Sequence, residues 1–581
     1  METLERDRNF VRVANLADLS PSGCHVVYVA GKAIALFQEN DQVYAIDNRC
    51  PHMGFPLHKG TAKDGILICH WHHARFDLAS GGTFDLWADD VQSFPVEVRE
   101  SQIWVDLSAP LDRPAYQRQR LIDGLEQNIS LVIAKAVLAL MAADTDPAEL
   151  LEMGLTFGAR YRREGWGAGL TILTCMANLL PSLDPADRPL ALYHGLSAVA
   201  RDCAGSPPRF DIQPLPLPQS PTEFPTLKRW FREFVEVRDA QGAERCLVSA
   251  IRGQAQPQEI ADMLFAAATD HRFLDGGHTL DFTNKALEAL DLAGWQQAEA
   301  ILPSLVRGYT EAERMEESSA WRSPVDLVAI LERAFSQLPE VWQDGQPHQT
   351  PINADALVSV LLGDNPEHIA QELLQGIRQG YSAFDLAQVV TYAAAQRLVQ
   401  FSTNNDFQDW DIAHHTFTFA NAVCQGLRRV PTLELLRGVF DAAMRIYLNR
   451  FLNMPPVPLP QPGERQIPED YLQELPDLLD RQQQVKAVGQ SVVQYLFNEG
   501  DPQPLLAHLG KLLLREDRNF HTIQEVEATF RQYGQWPHAQ TRPYLLVAAA
   551  RYLAAHAPTN RAQGQTYQIA DRLHRGDQVF E

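Results

Sequence analysis

Cys50-Pro51-His52 and Cys69-His70-Trp71-His72, separated by sixteen residues, decide how this chain is read. The pattern is C-x-H followed by C-x-x-H. It gathers two soft thiolates and two neutral imidazoles, a donor set suited to zinc or to iron with sulfur. A zinc site with two cysteines and two histidines is the plain alternative. Zinc fingers, however, space their ligands as C-x-x-C and H-x-x-x-H. His70 and His73 flank His72 out of register with the pattern and read as surface residues.

With Met53-Gly54-Phe55-Pro56-Leu57 after the first half, and Phe76-Asp77 and Gly81-Gly82 after the second, the stretch resembles the Rieske family. The resemblance covers about residues 9–107. It implies a [2Fe-2S] cluster with one iron on Cys50 and Cys69 and the other on His52 and His72, less negative than an all-cysteine cluster and so higher in potential. Rieske domains of quinol-oxidising complexes carry two further cysteines that brace the ligand loops. Those positions are held here by Phe55 and Trp71, which cannot bridge. Such domains also place a serine after the second loop, where this chain continues His73-Ala74-Arg75-Phe76. Fewer donors to the cluster stabilise its reduced form less. The resemblance therefore implies a potential toward the low end of the Rieske range, as in ferredoxins and oxygenase domains fed from NAD(P)H.

Composition bounds the rest. The 581 residues suffice for two to four domains. Against 73 Asp and Glu stand 50 Lys and Arg, a net charge of −23, which disfavours a nucleic-acid partner. The longest apolar stretch, Ile129–Ala143, is short for a bilayer and carries Lys135, so it reads as a buried helix and no membrane span is expected. The first residues lack the apolar core of a signal peptide. Beyond the two cluster ligands, Cys24, Cys175, Cys203, Cys246 and Cys424 are odd in number and scattered, which fits a reducing compartment. A cytoplasmic location is expected.

Residues 9–107 alternate short β-rich runs, such as Val26–Val29 and Ala33–Phe37, with turn clusters such as Glu39-Asn40-Asp41, predicting a small antiparallel all-β domain with the ligand loops at one tip and the imidazoles nearest solvent. Residues 108–115 read as a linker. From 116 to 581 apolar residues recur at three and four and β-branched alternation disappears, predicting a large, predominantly α-helical domain. Proline-rich breaks at 206–225 and 455–468 are either boundaries or extended straps over one helical body, and the strap reading is favoured.

Inside the helical region the motif H-T-x-x-F-x-N occurs twice, from His278 to Asn284 and from His415 to Asn421. On a helix, residues four apart share a face, so the echo predicts two equivalent helices facing one centre. Gln388–Ala393 and His194–Val199 are weaker echoes. A second metal site, iron for oxygen chemistry, would draw on two histidines and a carboxylate. His194, His278 and His415 are the candidate imidazoles, and Asp275, Asp281 and Asp411 the candidate carboxylates. Asp275 precedes His278 by three residues, and Asp411 precedes His414 by three and His415 by four. The other histidines of this region, His521 among them, lack a supporting pattern.

Rieske oxygenases continue into a mixed α/β domain whose iron is bound through an H-x-x-x-x-H pair. This chain has no such pair after the cluster motif and no β-rich run there, so those ligands do not transfer. Around Tyr193-His194-Gly195-Leu196 the helical region is faintly similar to questin oxidase-like proteins, and no residue role is carried over from them. No GxGxxG opens a helix after a strand, so electrons are expected from a separate reductase or ferredoxin. Two functions remain. One is an oxidoreductase whose cluster relays single electrons to a small-molecule substrate or oxygen site in the helical domain, a non-haem metal monooxygenase being one form. The other is an electron-carrier ferredoxin fused to a helical docking or assembly scaffold.

Overall fold

A computed structural model describes residues 9–19, 23–39, 42–108, 113–216, 223–345, 351–463 and 467–577. The turn at Asn40-Asp41, residues 109–112 of the expected linker, and residues 217–222 and 464–466 of the proline-rich breaks lie outside them. The chain forms an antiparallel β domain followed by a large helical region. It divides into two compact units, residues 1–146 with 563–581, and 147–562.

Among the described residues the β domain has ten strands: β1 Phe10–Asn15, β2 Cys24–Val29, β3 Lys32–Glu39, β4 Gln42–Asp47, β5 Thr61–Lys63, β6 Ile66–Ile68, β7 Arg75–Asp77, β8 Ser93–Phe94, β9 Val96–Arg99 and β10 Gln102–Asp106. They pair in the orders β1-β10-β9, β2-β3-β4-β8 and β5-β6-β7, every pair antiparallel. The two-residue period of a strand sends alternate side chains to opposite faces. On β3 that period feeds two cores. Ile34 and Leu36 join Val27, Ile103 and Val105, while Ala35 and Phe37 join Leu67, Phe76 and the two motif cysteines. The small sheet β5-β6-β7 carries the second ligand loop, and the first follows β4.

Past the β domain, helices Arg113–Glu126 and Ser130–Ala142 belong to the same compact unit, as does the C-terminal helix from residue 563. The sequence places the boundary at residues 108–115. Charge pairing explains the difference. Asp89 accepts from Arg120 Nε at 2.9 Å and from Lys135 Nζ at 2.7 Å, with side-chain exposures of 17, 7 and 13 %. Arg120 also donates to the Leu86 and Ala88 carbonyls, and Lys135 to the Pro51 carbonyl inside the first ligand loop. Lys135, which ends the apolar character of its helix in sequence, is thus consumed by the β domain. From the C-terminal helix, Leu573 reaches Gly54, where a Cβ would lie 3.2 Å from its methyl group.

Every named element among the described residues of the second unit is a helix. Both proline-rich breaks fall inside it, and their described parts hydrogen-bond to helices. Leu215 N donates to Ser249 Oγ and Arg245 to the Gln213 and Pro214 carbonyls, while Val457 N donates to Gln400 O. At the heart of the unit the helices His278–Ala293, Phe407–Arg429, Phe520–Gln535 and Ala168–Leu179 pack in a closed ring, each against the next. Their starts are well defined. Asp406 forms a capping box with Asp409, Asn519 caps its helix through Thr522 N at 2.9 Å, and Gly277 at φ +100° precedes His278.

Candidate functional site

The two ligand loops of the β domain are near copies of each other. In the first, Cys50 N donates to Phe55 O at 2.8 Å and Gly54 N to Cys50 O at 2.7 Å; in the second, Cys69 N donates to Ala74 O at 2.9 Å and His73 N to Cys69 O at 3.0 Å. The fifth residue of each turn adopts positive φ, +83° at Gly54 and +63° at His73. His73 therefore shapes the turn and faces solvent. His70 is exposed too, bonded to Thr61.

Each turn aims amide groups at its cysteine sulfur, those of His52 and Met53 at Cys50 and those of Trp71 and His72 at Cys69. Such donors favour thiolate over thiol. A hydrogen bond from Cys50, the largest influence, holds Cys69 below the ordinary thiol range. Both cysteines are buried, whereas His72 is exposed and His52 half-buried, their rings 4.9 Å apart. Burial, then the Lys135 charge, pushes His52 down to about 4, so it is a neutral donor at neutral pH. Its Nδ1 is buried with no hydrogen-bond partner. A buried nitrogen left so is costly unless something binds it. Two sulfurs facing each other and two imidazoles facing each other fit a [2Fe-2S] cluster. Phe55 and Trp71 meet with ring centroids 6.1 Å apart, an aromatic contact where the resemblance puts a brace.

The comparisons with known proteins meet at this site. The family model for the Rieske [2Fe-2S] domain matches residues 9–95. The 3-phenylpropionate/cinnamic acid dioxygenase ferredoxin subunit of Shigella boydii serotype 4 is 33 % identical over 101 residues, 17 % of this chain and 94 % of that protein. Through these residues the chain belongs to the Rieske family. Human apoptosis-inducing factor 3 is 26 % identical over 182 residues, 30 % of this chain, which spans only 27 % of that protein's length. Among solved structures, the ferredoxin of carbazole 1,9a-dioxygenase from Nocardioides aromaticivorans is 30 % identical, covering 17 % of this chain and 99 % of that one at a TM-score of 0.17. This Rieske domain is of the ferredoxin type and implies a [2Fe-2S] cluster for single-electron transfer. No helix among the described residues is long and apolar enough to cross a membrane.

In the helical unit the echoed histidines come together. His278, first residue of its helix, and His415, in the middle of its own, meet with ring centroids 4.6 Å apart. The third member is His521, at the start of Phe520–Gln535. Its Nε2 lies 3.0 Å from His415 Nε2, and one ligand nitrogen from each of the three falls within 4.8 Å of the others. All three rings are half-buried. Burial, then neighbouring imidazoles, pushes His278 down to about 4 and His415 to about 2, leaving neutral nitrogens. Sequence reasoning passed over His521 because its helix lacks the phenylalanine and asparagine of the echo. A shorter signal was available: His-Thr occurs three times in the chain, at His278, His415 and His521.

His194 is not in this group. It is buried in helix Arg188–Cys203 with Nε2 unpartnered, and burial pushes it down to about 4. The candidate carboxylates also find other places. Asp275 lies in the turn before His278, in a left-handed conformation at φ +50°. Asp281, one helical turn beyond His278, is fully buried against Gln524 and raised by that burial to about 7. Asp411 stands behind His521: its Oδ2 lies 3.3 Å from His521 Nδ1 and its Oδ1 accepts from Tyr552 at 2.5 Å. Against the effect of burial, those two hydrogen bonds hold Asp411 below the ordinary carboxylate range. Asp411 and Thr522 line a cleft of about 830 Å³ that also takes in Phe407, Trp410, Asn519 and His556.

Proposed function

We propose that this protein is a Rieske-type oxidoreductase whose N-terminal domain relays single electrons, taken from a separate reductase, to a reaction site for oxygen or a small organic substrate in the helical unit. The cluster supplies one-electron chemistry. Around it Cys50 and Cys69 are shielded and His72 faces solvent, so the imidazole end is the side a redox partner can approach. Lys135 and Asp89 hold the first ligand loop in place. The observation that carries the reading is the meeting of His278 and His415, on helices far apart in sequence, with a polar and aromatic cleft beyond Asp411. A domain that served only as ballast for a ferredoxin has no need of converging, partly open imidazoles, which cost burial energy.

The carrier-and-scaffold reading has one observation in its favour. Trp71, Phe84 and Leu86 are 37, 55 and 60 % exposed on the β domain, large apolar side chains of the kind a protein partner covers. One experiment separates the two readings. The cluster is reduced anaerobically, the protein is mixed with oxygen, and cluster reoxidation is followed optically. His278→Ala and His415→Ala are expected to slow reoxidation at least tenfold with the Rieske spectrum intact. Wild-type rates in both variants favour the carrier.

A further inference from the structure

Three helices deliver His278, His415 and His521 to one point. Two of the three residues are at or next to the first position of their helix, where the backbone's positive end disfavours imidazolium and keeps the ring a neutral donor. Metal–nitrogen bonds of about 2.0–2.1 Å put two imidazole nitrogens roughly 2.9–3.3 Å apart around a single ion. The His415–His521 separation of 3.0 Å already has that value, and the other separations, within 4.8 Å, close by side-chain movements of about 1 Å. Among the described residues no carboxylate oxygen belongs to the group. Asp411 instead accepts from the far nitrogen of His521, Nδ1, which fixes the tautomer with the Nε2 lone pair pointing at His415. A carboxylate on the distal nitrogen of an imidazole is the arrangement that orients metal-ligating histidines. Tyr552 in turn holds Asp411, and buried His414 packs on the His521 ring at 5.2 Å. The backbone before His278 is strained as well, with Phe273 and Asp275 at φ +48° and +50°, and such outliers concentrate where a site is pre-shaped.

We propose that His278, His415 and His521 are the protein ligands of one divalent first-row transition-metal ion, with Asp411 as the positioning residue behind His521. Three neutral nitrogens suit iron, cobalt, copper or zinc and give magnesium or calcium no oxygen to bind. They also leave coordination positions open, because these ions take four to six donors. The site deepens the function proposed above and shares its residues, but it stands or falls on metal binding alone.

The test uses the full chain with its cluster assembled, dialysed against Fe(II) under anaerobic conditions and, separately, against Co(II). Iron, cobalt and acid-labile sulfide are counted, and the cobalt ligand-field spectrum is recorded. The expected result is one ion per chain beyond the two irons matched by sulfide, and the same single ion with cobalt. His521→Ala and His415→Ala lose that ion and keep the Rieske spectrum and the thermal transition, whereas His194→Ala retains it. Asp411→Asn weakens binding by about 10- to 100-fold and alters the cobalt spectrum, which a merely structural role would not do. An excess of Mg(II) does not compete. A wild-type protein that holds no ion beyond its cluster overturns the proposal, as does retention of the ion by His521→Ala. Bound metal with cluster reoxidation indifferent to it leaves the site standing and removes the relay; relay without metal does the reverse.

Discussion

Replacing Asp89 by alanine tests how the helices after the β domain are tied to the ligand loop. In the folded protein Asp89 faces two cations at 2.9 and 2.7 Å, all three side chains less than one-fifth exposed. At an effective dielectric of about 20, each pair attracts by about 6 kcal/mol, and desolvation of the three ions cancels most of that. Removing the anion leaves Lys135 buried without a countercharge and Arg120 with Asp123 alone, at 3.0 Å, which costs about 3–5 kcal/mol. With a urea dependence of about 2 kcal/mol per molar, the unfolding midpoint of the β domain falls by about 1.5–2.5 M. Urea is the denaturant of choice because guanidinium would screen the pairs. The visible circular dichroism of the cluster reports this domain. The pH dependence has a definite sign. Burial raises the Asp89 carboxyl, but Lys135 and Arg120 outweigh it and hold it below its ordinary 3.8. A depressed carboxylate contributes stability that is full above its unfolded value and lost as pH falls through the folded one. Wild type and variant therefore differ fully at pH 6 and converge only in strong acid, below pH 3.8. A midpoint shift under about 0.5 M at neutral pH refutes the reasoning.

The reduced protein should show the rhombic electron paramagnetic resonance signal of a mixed-ligand cluster, with two irons matched by two sulfides; Cys50→Ser or Cys69→Ser should lose both, and one zinc without sulfide would end the Rieske assignment. Lys285, fully buried between Glu288 and Glu527, should cost about 3–5 kcal/mol when changed to methionine, measured by urea unfolding of the helical unit, because two carboxylates lose their nearest cation. His271 lies between Glu316 and Glu236, and the hydrogen bond it donates to Glu316 foremost raises it above 6.5. Its contribution is full below the unfolded value and lost as pH rises through the folded one. His271→Gln should therefore destabilise the helical unit at pH 6 and much less at pH 9, and a constant difference across that range would contradict the pairing.

The sequence by itself determined the two turns that carry the motif, because each of them is local. Cys50 to Gly54 and Cys69 to His73 each close a single turn through their own backbone, so spacing alone fixes where sulfur and nitrogen point. Periodicity likewise settled the change from strands to helices, since the faces of β3 and of the later helices are each written within a few residues. The echo at His278 and His415 named two helices that do pack together. What spacing cannot encode is which distant turns meet. His521 lies 106 residues beyond His415, and only the ring of four helices brings their nitrogens to 3.0 Å. The same packing sends Asp281 inward to Gln524 and turns Asp411 toward His521 and Tyr552. The fate of Lys135 was equally hidden, a charge on an apolar helix whose countercharge, Asp89, is 46 residues earlier. A buried charge must find its partner wherever the fold supplies one, and that place is a property of the tertiary structure.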